Sequence, residues 1–341
     1  MRVLMICPEL PSNDKPGTMA PGARQIRSIK QAGIDTDVCD LRGIPKLKYL
    51  QIIPRIRRAA GSANLIHAHF GYCGWLALIG RSLSFRRIPI VMSFMGSDLL
   101  GSPYNEQGDL ERLSVAEMKC NAAVAGRYDQ IIVKSQEMAA RISHVACHVI
   151  PNGVDLDTFR PMDRRQACEQ INLNPDQLNV LFPGNPNNPR KGHQLASAAV
   201  KVAEQQLNKS INLVPLWRIK PEQVAVYMNA CHAMVMTSVF EGSPNVVKEA
   251  MACNQCVIGV PVGDVHELLD GVEGCFRTSR DAPEIGQALA LVLKAGLASN
   301  GREILQSRGL SLDGVAGRVI AVYHKALEQY KRVSDVSRTT A

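Results

Sequence analysis

Short apolar segments alternate with segments of helical spacing along the whole chain. Apolar segments lie at 2–7, 36–41, 65–70, 88–94, 130–135 and 147–150, and again at 178–184, 211–217, 232–238, 255–260 and 275–279. Their nearly continuous apolar character is typical of parallel strands that are buried on both faces. Helices are predicted between them, among others at 23–32, 108–125, 191–207, 221–230, 244–253 and 283–297.

Two successive series of βαβ units predict an α/β protein with two Rossmann-like, doubly wound domains. The chain has 341 residues, which suits two domains of about 150–170 residues each. We place the boundary at PNGVD, which gives a first domain at 1–152 and a second at 153–312. A last helix is predicted at 313–331, followed by a flexible tail at 332–341. Ligands of such sheets bind beyond the carboxyl ends of the strands, so we expect the site in a cleft between the two domains.

The composition is that of a globular protein of a reducing compartment. Hydrophobic residues make up 46% and charged residues 21%, which argues against a disordered chain. The ten cysteines are spread too thinly for a disulfide scaffold, and only Cys253 and Cys256 form a CxxC pair. The first apolar run is too short for a signal peptide, and no stretch approaches the roughly 18 apolar residues of a membrane span. A cytoplasmic protein is expected.

The positive charge is concentrated in the first half. Of the net charge of +8, residues 1–152 hold 19 Lys and Arg against 12 Asp and Glu, whereas the rest of the chain is nearly balanced. One segment without any acid carries six of these cations: Arg42, Lys46, Lys48, Arg55, Arg57 and Arg58. Either this segment is a solvated helix face, or it contacts an anionic membrane surface or a phosphate-bearing acceptor. Nucleic acid is disfavoured, because no nucleic-acid module is recognisable and aromatic residues are only 5%.

The segment EGSPNVVKEAM, residues 241–251, follows a predicted strand and begins a helix. Ser243 and Pro244 together indicate a helix start, the serine as its cap and the proline at the first helical position. The free amides of Asn245 and Val246 would then form an anion site suited to a diphosphate. Gly242 would allow the backbone to come close to the ligand.

Two acids flank this helix start. Glu241 precedes it, and Glu249 lies about one and a half turns inside the helix. Val246 occupies the capping-box position, so neither acid completes a capping box, and no neighbour of Glu249 at three or four residues is a cation. A solvated surface acid is the alternative explanation.

At this point the sequence resembles a family. The two glutamates eight positions apart, with G-x-P between them and EAMA at the end, resemble the donor-site signature of the retaining family 4 glycosyltransferases, which have the GT-B fold. The segments VIPNGVDLDTFRP, LFPGNPNNPRKGHQL, SFMGSD and IIVKS, and the helix at 311–328, are also similar to that family. The resemblance covers nearly the whole chain.

The resemblance implies roles for these residues. Glu249 would bind the ribose of a nucleotide sugar, Glu241 would contact the transferred sugar, and the amides near Asn245 would hold its phosphate. Lys191 would stabilise the leaving diphosphate, and Arg190 would supply the charge that the family usually has at Asn185. Gly184 belongs to the same loop.

Other donor contacts are assigned by position. Gly22 would touch the phosphates, with Gly17 as the alternative. Either glycine could instead simply form a turn. Trp217 and Arg218 are candidates for contact with the base, although Trp217 could equally belong to the core.

The catalytic half of the first domain departs from the family, because Met95 stands where many relatives have histidine. Asp98 could still contact the acceptor or the sugar, and His69, at the end of a strand with His67, could face the cleft. A structural role is the alternative for each histidine. In this family the donor phosphate is thought to take the acceptor proton, so no protein base is required.

Two Asp-x-Asp patterns, at 35–37 and 155–157, raise the alternative of a metal-dependent enzyme. Neither is expected at the end of a strand in a sugar-nucleotide site, so both are interpreted as solvated acids. No metal and no cofactor besides a UDP-sugar co-substrate are expected.

The hypothesis from sequence is a retaining, metal-independent hexosyltransferase. It would move a sugar from a nucleotide sugar, with UDP the expected nucleotide, to a saccharide or lipid-linked acceptor in cell-surface polysaccharide or glycolipid biosynthesis. The alternatives are a sugar-nucleotide epimerase or phosphorylase of the same fold, or a non-catalytic homologue that binds nucleotide.

Overall fold

The structure is a computed structural model that describes residues 1–12, 18–43, 47–84, 86–105 and 107–339, with side chains described up to residue 332. The chain divides into two compact units. The first comprises Met1–Gly101, Arg112–Gly153 and Leu312–Ala341, and the second comprises Ser102–Glu111 and Val154–Ser311.

The first unit is built on a six-stranded parallel sheet. The order of its strands is β2-β1-β3-β4-β5-β6. Met5 of β1 pairs with Val38 of β2 on one side and with His67 of β3 on the other. The strands are β1 (Arg2–Cys7), β2 (Asp35–Asp40), β3 (Leu65–His69), β4 (Ile90–Ser93), β5 (Gln130–Val133) and β6 (His148–Val149).

Helices connect these strands, as the alternation of patterns predicts. They are α1 (Ala20–Gln31), α2 (Lys48–Ala60), α3 (Gly71–Ser82), α4 (Ser97–Leu100), α5 (Arg112–Val124) and α6 (Gln136–Arg141), and the last helix of the chain, α14 (Leu312–Thr339), packs against α1. Val319 and Tyr323 of α14 are fully buried in one core with β1 and α1, because they lie four residues apart on its apolar face.

The last helix is longer than the sequence analysis predicted. It continues to Thr339, although residues from 332 onward were expected to form a flexible tail. No glycine or proline interrupts residues 331–339, so nothing in the local sequence ends the helix at 331.

The second unit repeats the architecture with five parallel strands in the order β11-β10-β9-β7-β8. The strands are β7 (Leu178–Phe182), β8 (Ile211–Pro215), β9 (Ala233–Met236), β10 (Cys256–Gly259) and β11 (Phe276–Arg277). The helices are α7 (Arg164–Gln170), α8 (His193–Leu207), α9 (Val224–Ala230), α10 (Asn245–Ala252), α11 (Val265–Leu269), α12 (Ala282–Ala295) and α13 (Gly301–Ser307).

Two parallel, Rossmann-like sheets confirm the predicted fold class. The inner strands β3, β4, β9 and β10 are short and wholly buried, as expected for sheets covered by helices on both faces. Among the residues described, no helix is both long enough and apolar enough to cross a membrane.

Candidate functional site

In the second unit, the loop before α8 lies against the end of β9. Gly192 adopts a left-handed conformation (φ +66°), and a Cβ atom there would overlap the carbonyl oxygen of Thr237. Only glycine permits this approach without strain. The Thr237 hydroxyl donates to the carbonyl oxygens of Lys191 and Gly192, so this basic loop is fixed to the strand end.

Arg190, Lys191 and Glu241 form one ion-pair cluster at this strand end. Lys191 Nζ lies 2.6 Å from Glu241 Oε1, and an Arg190 guanidinium nitrogen lies 3.2 Å from Oε2. Arg190 also donates to the carbonyl oxygen of Phe240 at 3.1 Å. The structure therefore brings Glu241 to two predicted site residues that lie 50 and 51 positions before it in sequence.

The cluster keeps Glu241 ionised. Burial alone would raise the pKa of this carboxyl, but Lys191 and Arg190 outweigh burial, and the pKa of Glu241 lies below its usual value. The cations keep one fifth to one third of their side-chain surface exposed, whereas the carboxylate keeps 11%. An anion that arrived here would meet two positive groups held in place by a buried carboxylate.

The helix start after Glu241 differs in detail from the prediction. Helix α10 begins at Asn245, and Pro244 takes the capping position instead of the first helical one. Ser243 does not cap the helix, because its hydroxyl donates to Asp264 Oδ2 at 2.6 Å and accepts from Lys248 Nζ at 2.7 Å. The cap prediction is wrong because a buried side chain from another loop competes for the serine.

Lys248 and Asp264 are functional-site candidates that the sequence analysis missed. Burial lowers the pKa of Lys248, against the opposing effects of Asp264 and Glu249. Burial likewise raises the pKa of Asp264, against Lys248 and Ser243. The available signals were a lysine among the apolar residues of α10 and an aspartate in the loop after β10. Together they hold the loop that carries Gly242 and Ser243 in one conformation.

Glu249 and Asn245 are the two remaining predicted site residues with polar side chains on α10. The Glu249 side chain is buried on α10, with 8% of its surface exposed. Asn245 Oδ1 is also buried, and no hydrogen-bond partner for it occurs among the residues described. A buried acceptor without a partner is uncommon, and it indicates that this helix start is completed by a ligand or solvent. Val246 is partly buried against the core.

The remaining donor-side candidates lie in loops after β7 and β8. Gly184 is so close to Lys191 that a Cβ would press on that side chain. Asn185 accepts from the Asn187 amide at 3.0 Å, so it builds the turn and supplies no charge. Trp217 is 48% exposed, which excludes the core placement, and the Arg218 guanidinium lies 6.0 Å from its ring.

In the first unit, two neighbouring histidines lie at the carboxyl end of β3 with their rings in contact at a tilt of 36°. The ring centroids of His67 and His69 are 4.1 Å apart, and both residues are fully buried. His67 shares hydrogen bonds with the Tyr323 hydroxyl at 2.6 Å and the Ser93 hydroxyl at 2.7 Å, so its role is structural.

His69, in contrast, has no hydrogen-bond partner for either ring nitrogen among the residues described. Burial lowers its pKa to about 3, and the nearby Lys134 adds to this effect. Burial, His69 and Lys134 also lower the pKa of His67. The pair is therefore neutral at physiological pH.

Asp98, predicted to contact the acceptor or the sugar, holds a turn of the backbone. It is fully buried, and its carboxylate accepts from the amides of Met95, Gly96 and Gly71 at 2.8–3.1 Å. Burial raises its pKa to about 6 against these hydrogen bonds. The carboxylate thus ties the turn after β4 to the start of α3.

Gly22 lies in the first turn of α1 and not in a loop, and a Cβ there would overlap the Met19 side chain. Gly17, the alternative, lies outside the described residues.

Two family patterns match the chain over most of its length. The pattern described as Glycosyltransferase Family 4 matches residues 5–158, and the pattern described as Glycosyl transferases group 1 matches residues 166–295. The chain belongs to glycosyltransferase family 4. The second match contains the whole cluster of Arg190, Lys191 and Glu241, together with Glu249 and Lys248.

Curated relatives agree with the family 4 assignment. D-inositol 3-phosphate glycosyltransferase 1 of Catenulispora acidiphila is 24% identical over 316 residues, which cover 80% of this chain and 74% of that protein. TuaC of Bacillus subtilis strain 168, provisionally assigned as a glycosyltransferase of teichuronic acid biosynthesis, is 24% identical over 351 residues, which cover 85% and 88%.

A solved structure supports the fold of this family 4 chain. The Anabaena protein Alr3699/HepE, in complex with UDP-glucose, superimposes with a TM-score of 0.69 at 17% identity and covers 95% of this chain and 100% of its own. At this identity the likeness shows the fold alone, which is GT-B.

The two Asp-x-Asp patterns of this family 4 chain take part in contacts within their own units. Asp37 pairs with Arg2 at 2.7 Å on β2, and Asp155 accepts from the amides of Asp157 and Thr158 in the linker turn. Each pattern thus serves a local contact. The ten cysteines are free thiols.

Proposed function

We propose that this protein transfers a hexose from a UDP-sugar to a hydroxyl of a saccharide or lipid-linked acceptor, with retention of configuration. One observation carries the proposal. The cations Arg190 and Lys191 are fixed by Glu241 beside the start of α10, in a chain that belongs to glycosyltransferase family 4. Transfer of a sugar from a nucleotide leaves a diphosphate, and preorganised cations stabilise that charge without reorganisation.

Each donor-side residue has a separate role in this proposal. Glu249 binds the ribose, Glu241 binds the transferred sugar, and the first amides of α10 with Asn245 hold its phosphate. Trp217 offers an exposed ring to the base. A donor phosphate oxygen takes the acceptor proton, which needs no protein base at Met95. UDP-glucose as the donor is supported by the Anabaena relative that holds it.

A thermal-shift panel of nucleotide sugars tests the donor assignment. Ligand at about 100 times its Kd stabilises the folded state by about 2.7 kcal/mol, which raises the melting temperature of a unit of this size by about 5–10 °C. We expect UDP-hexoses to produce this shift and GDP- and ADP-sugars not to. If no nucleotide sugar stabilises the protein, the proposal fails.

Product analysis separates transfer from other reactions of this fold. A transferase releases free UDP and attaches the sugar to an acceptor. An epimerase returns a nucleotide sugar, and a phosphorylase consumes phosphate. We expect the first result, and a homologue that only binds the nucleotide would show none of the three.

The first unit is proposed to bind the acceptor at the cytoplasmic face of an anionic membrane. Arg55, Arg57 and Arg58 are exposed on α2, and this concentration of positive charge supports a membrane-associated acceptor. Each cation near an anionic surface contributes about 1 kcal/mol.

Neutralising these three arginines to glutamine should therefore weaken binding to anionic vesicles about 100-fold. Vesicle co-sedimentation measures the effect. The same charge change at Lys201, Lys209 and Lys294 of the second unit is the matched control, and equal binding by all three proteins would refute the membrane contact.

A further inference from the structure

An apolar groove opens on the first unit where α2, α3 and α5 meet. Its volume is about 580 Å³, and its walls include Tyr49 of α2, Tyr72 and Ile79 of α3, and Leu113 of α5. The Tyr49 and Tyr72 rings pack edge to face with centroids 6.1 Å apart. Aromatic and aliphatic walls of this kind bind apolar groups.

The rim of the groove exposes large apolar side chains together. Leu113 is 84% exposed, Ile79 is 45% exposed and Tyr49 is 39% exposed. Single exposed leucines are common on protein surfaces, but a cluster around a concave apolar site indicates a binding surface.

The groove also presents one unpaired donor and one unpaired acceptor. Trp75 Nε1 and Glu117 Oε1 both line it, both atoms are buried, and neither has a hydrogen-bond partner among the residues described. Burial raises the pKa of Glu117. Because buried polar groups are normally paired, the groove is expected to be completed by an occupant that has a polar group beside its apolar part.

Positive charge lies beside the groove. Residues four apart share one side of a helix, so Ile53 and Arg57 follow Tyr49 along the same edge of α2. The Arg57 backbone lies near Gly80, next to Ile79 of the groove wall. At the other end, Lys48 Nζ lies 5.5 Å from the centre of the Tyr49 ring. The site therefore has an apolar interior and a cationic edge.

We propose that this groove binds the hydrocarbon chain of an anionic membrane lipid, whose headgroup lies against Lys48 at the Tyr49 end of the groove. The ester or phosphate oxygens next to the chain would pair with Trp75. A second copy of the protein fits less well, because a two-fold contact would bring the same cationic edges together. The inference rests on the proposed membrane contact of the first unit, but not on the donor chemistry of the second.

Trp75 reports directly on occupancy. The chain has two tryptophans, so Trp217→Phe leaves Trp75 as the only fluorophore of its kind, and Trp75→Phe leaves only Trp217. Vesicles of phosphatidylglycerol with brominated acyl chains quench tryptophan only at contact distance. We expect Trp75 to lose most of its emission on these vesicles, and Trp217 to lose none.

A charge in the groove should block the chain. Leu113→Glu is expected to weaken partitioning to phosphatidylglycerol vesicles about tenfold, because it removes an apolar contact that the bound lipid chain would bury. Leu291→Glu, at an exposed leucine of the second unit, is the matched control. UDP binding should be unchanged in both variants, which separates this test from that of the donor site.

Three results would overturn the inference. Vesicle binding without quenching of Trp75 would leave the electrostatic membrane contact intact and exclude chain entry. Equal vesicle binding by the Leu113→Glu and Leu291→Glu variants would also exclude entry of the lipid chain into the groove. Concentration-dependent dimerisation that Leu113→Glu abolishes, without a change in lipid binding, would identify a second copy as the occupant.

Discussion

Replacing Lys191 with alanine is expected to lower kcat for sugar transfer about 10²–10³-fold, the usual effect of removing one preorganised donor from a developing anion. Lys191 Nζ lies 2.6 Å from Glu241, on a loop fixed to the end of β9 by Gly192. Arg190 still neutralises Glu241 in the variant, so the second unit should remain folded.

Steady-state rates of UDP release, measured with acceptor, check this expectation. Lys201→Ala, on the exposed side of α8, removes an equal charge from the same unit and should leave kcat unchanged. If the Lys191 variant retained the wild-type kcat, the leaving diphosphate would not lie at this cluster.

Acidification is expected to destabilise the first unit through its buried histidine pair. The folded pKa of His69 is about 3, and that of His67 is also lowered, whereas a histidine in an unfolded chain titrates near 6.5. Below about pH 6.5 the unfolded state therefore binds more protons, so stability present above that pH is lost as the pH falls. His69 should cost about 2 kcal/mol at pH 5, and the lowered pKa of His67 adds to the loss in the same direction.

Asp98 acts in the opposite direction, because its raised pKa of about 6 makes the folded state take up a proton as the pH falls. The histidine contribution is therefore isolated by difference. His69→Phe should reduce the loss of stability between pH 6.5 and 5 by about 2 kcal/mol, as measured by urea unfolding followed at Trp75 in a Trp217→Phe background. His144→Phe, at an exposed position of the same unit, should retain the wild-type profile. Identical pH profiles for both variants would show that His69 is not the cause.

The sequence predicts the fold well because the deciding signal is local. Each buried strand appears as a continuous apolar run, and the order of runs and helices leaves few topologies for a parallel sheet. Glu241, Arg190 and Lys191 were predicted from the resemblance to family motifs, and they meet in the structure because loops after parallel strands gather at one edge of the sheet.

The contacts that were not predicted join distant parts of the chain. Ser243 is the best local cap for α10, yet its hydroxyl binds Asp264, 21 residues away. His67 pairs with Tyr323 across 256 positions. The groove needs side chains from three helices, which no spacing rule within one helix reveals. At Ser243 the local preference for a helix cap was overridden by two buried polar partners.

Calorimetric titration with UDP tests the central claim most directly. The account predicts that the wild type binds UDP and that Glu249→Ala weakens binding about 10- to 100-fold, the effect of losing hydrogen bonds to a charged group. Glu241→Gln should weaken UDP binding less than Glu249→Ala does, and its main effect should be the loss of sugar transfer. Absence of UDP binding by the wild type, or equal loss in both variants, would contradict the proposed donor site.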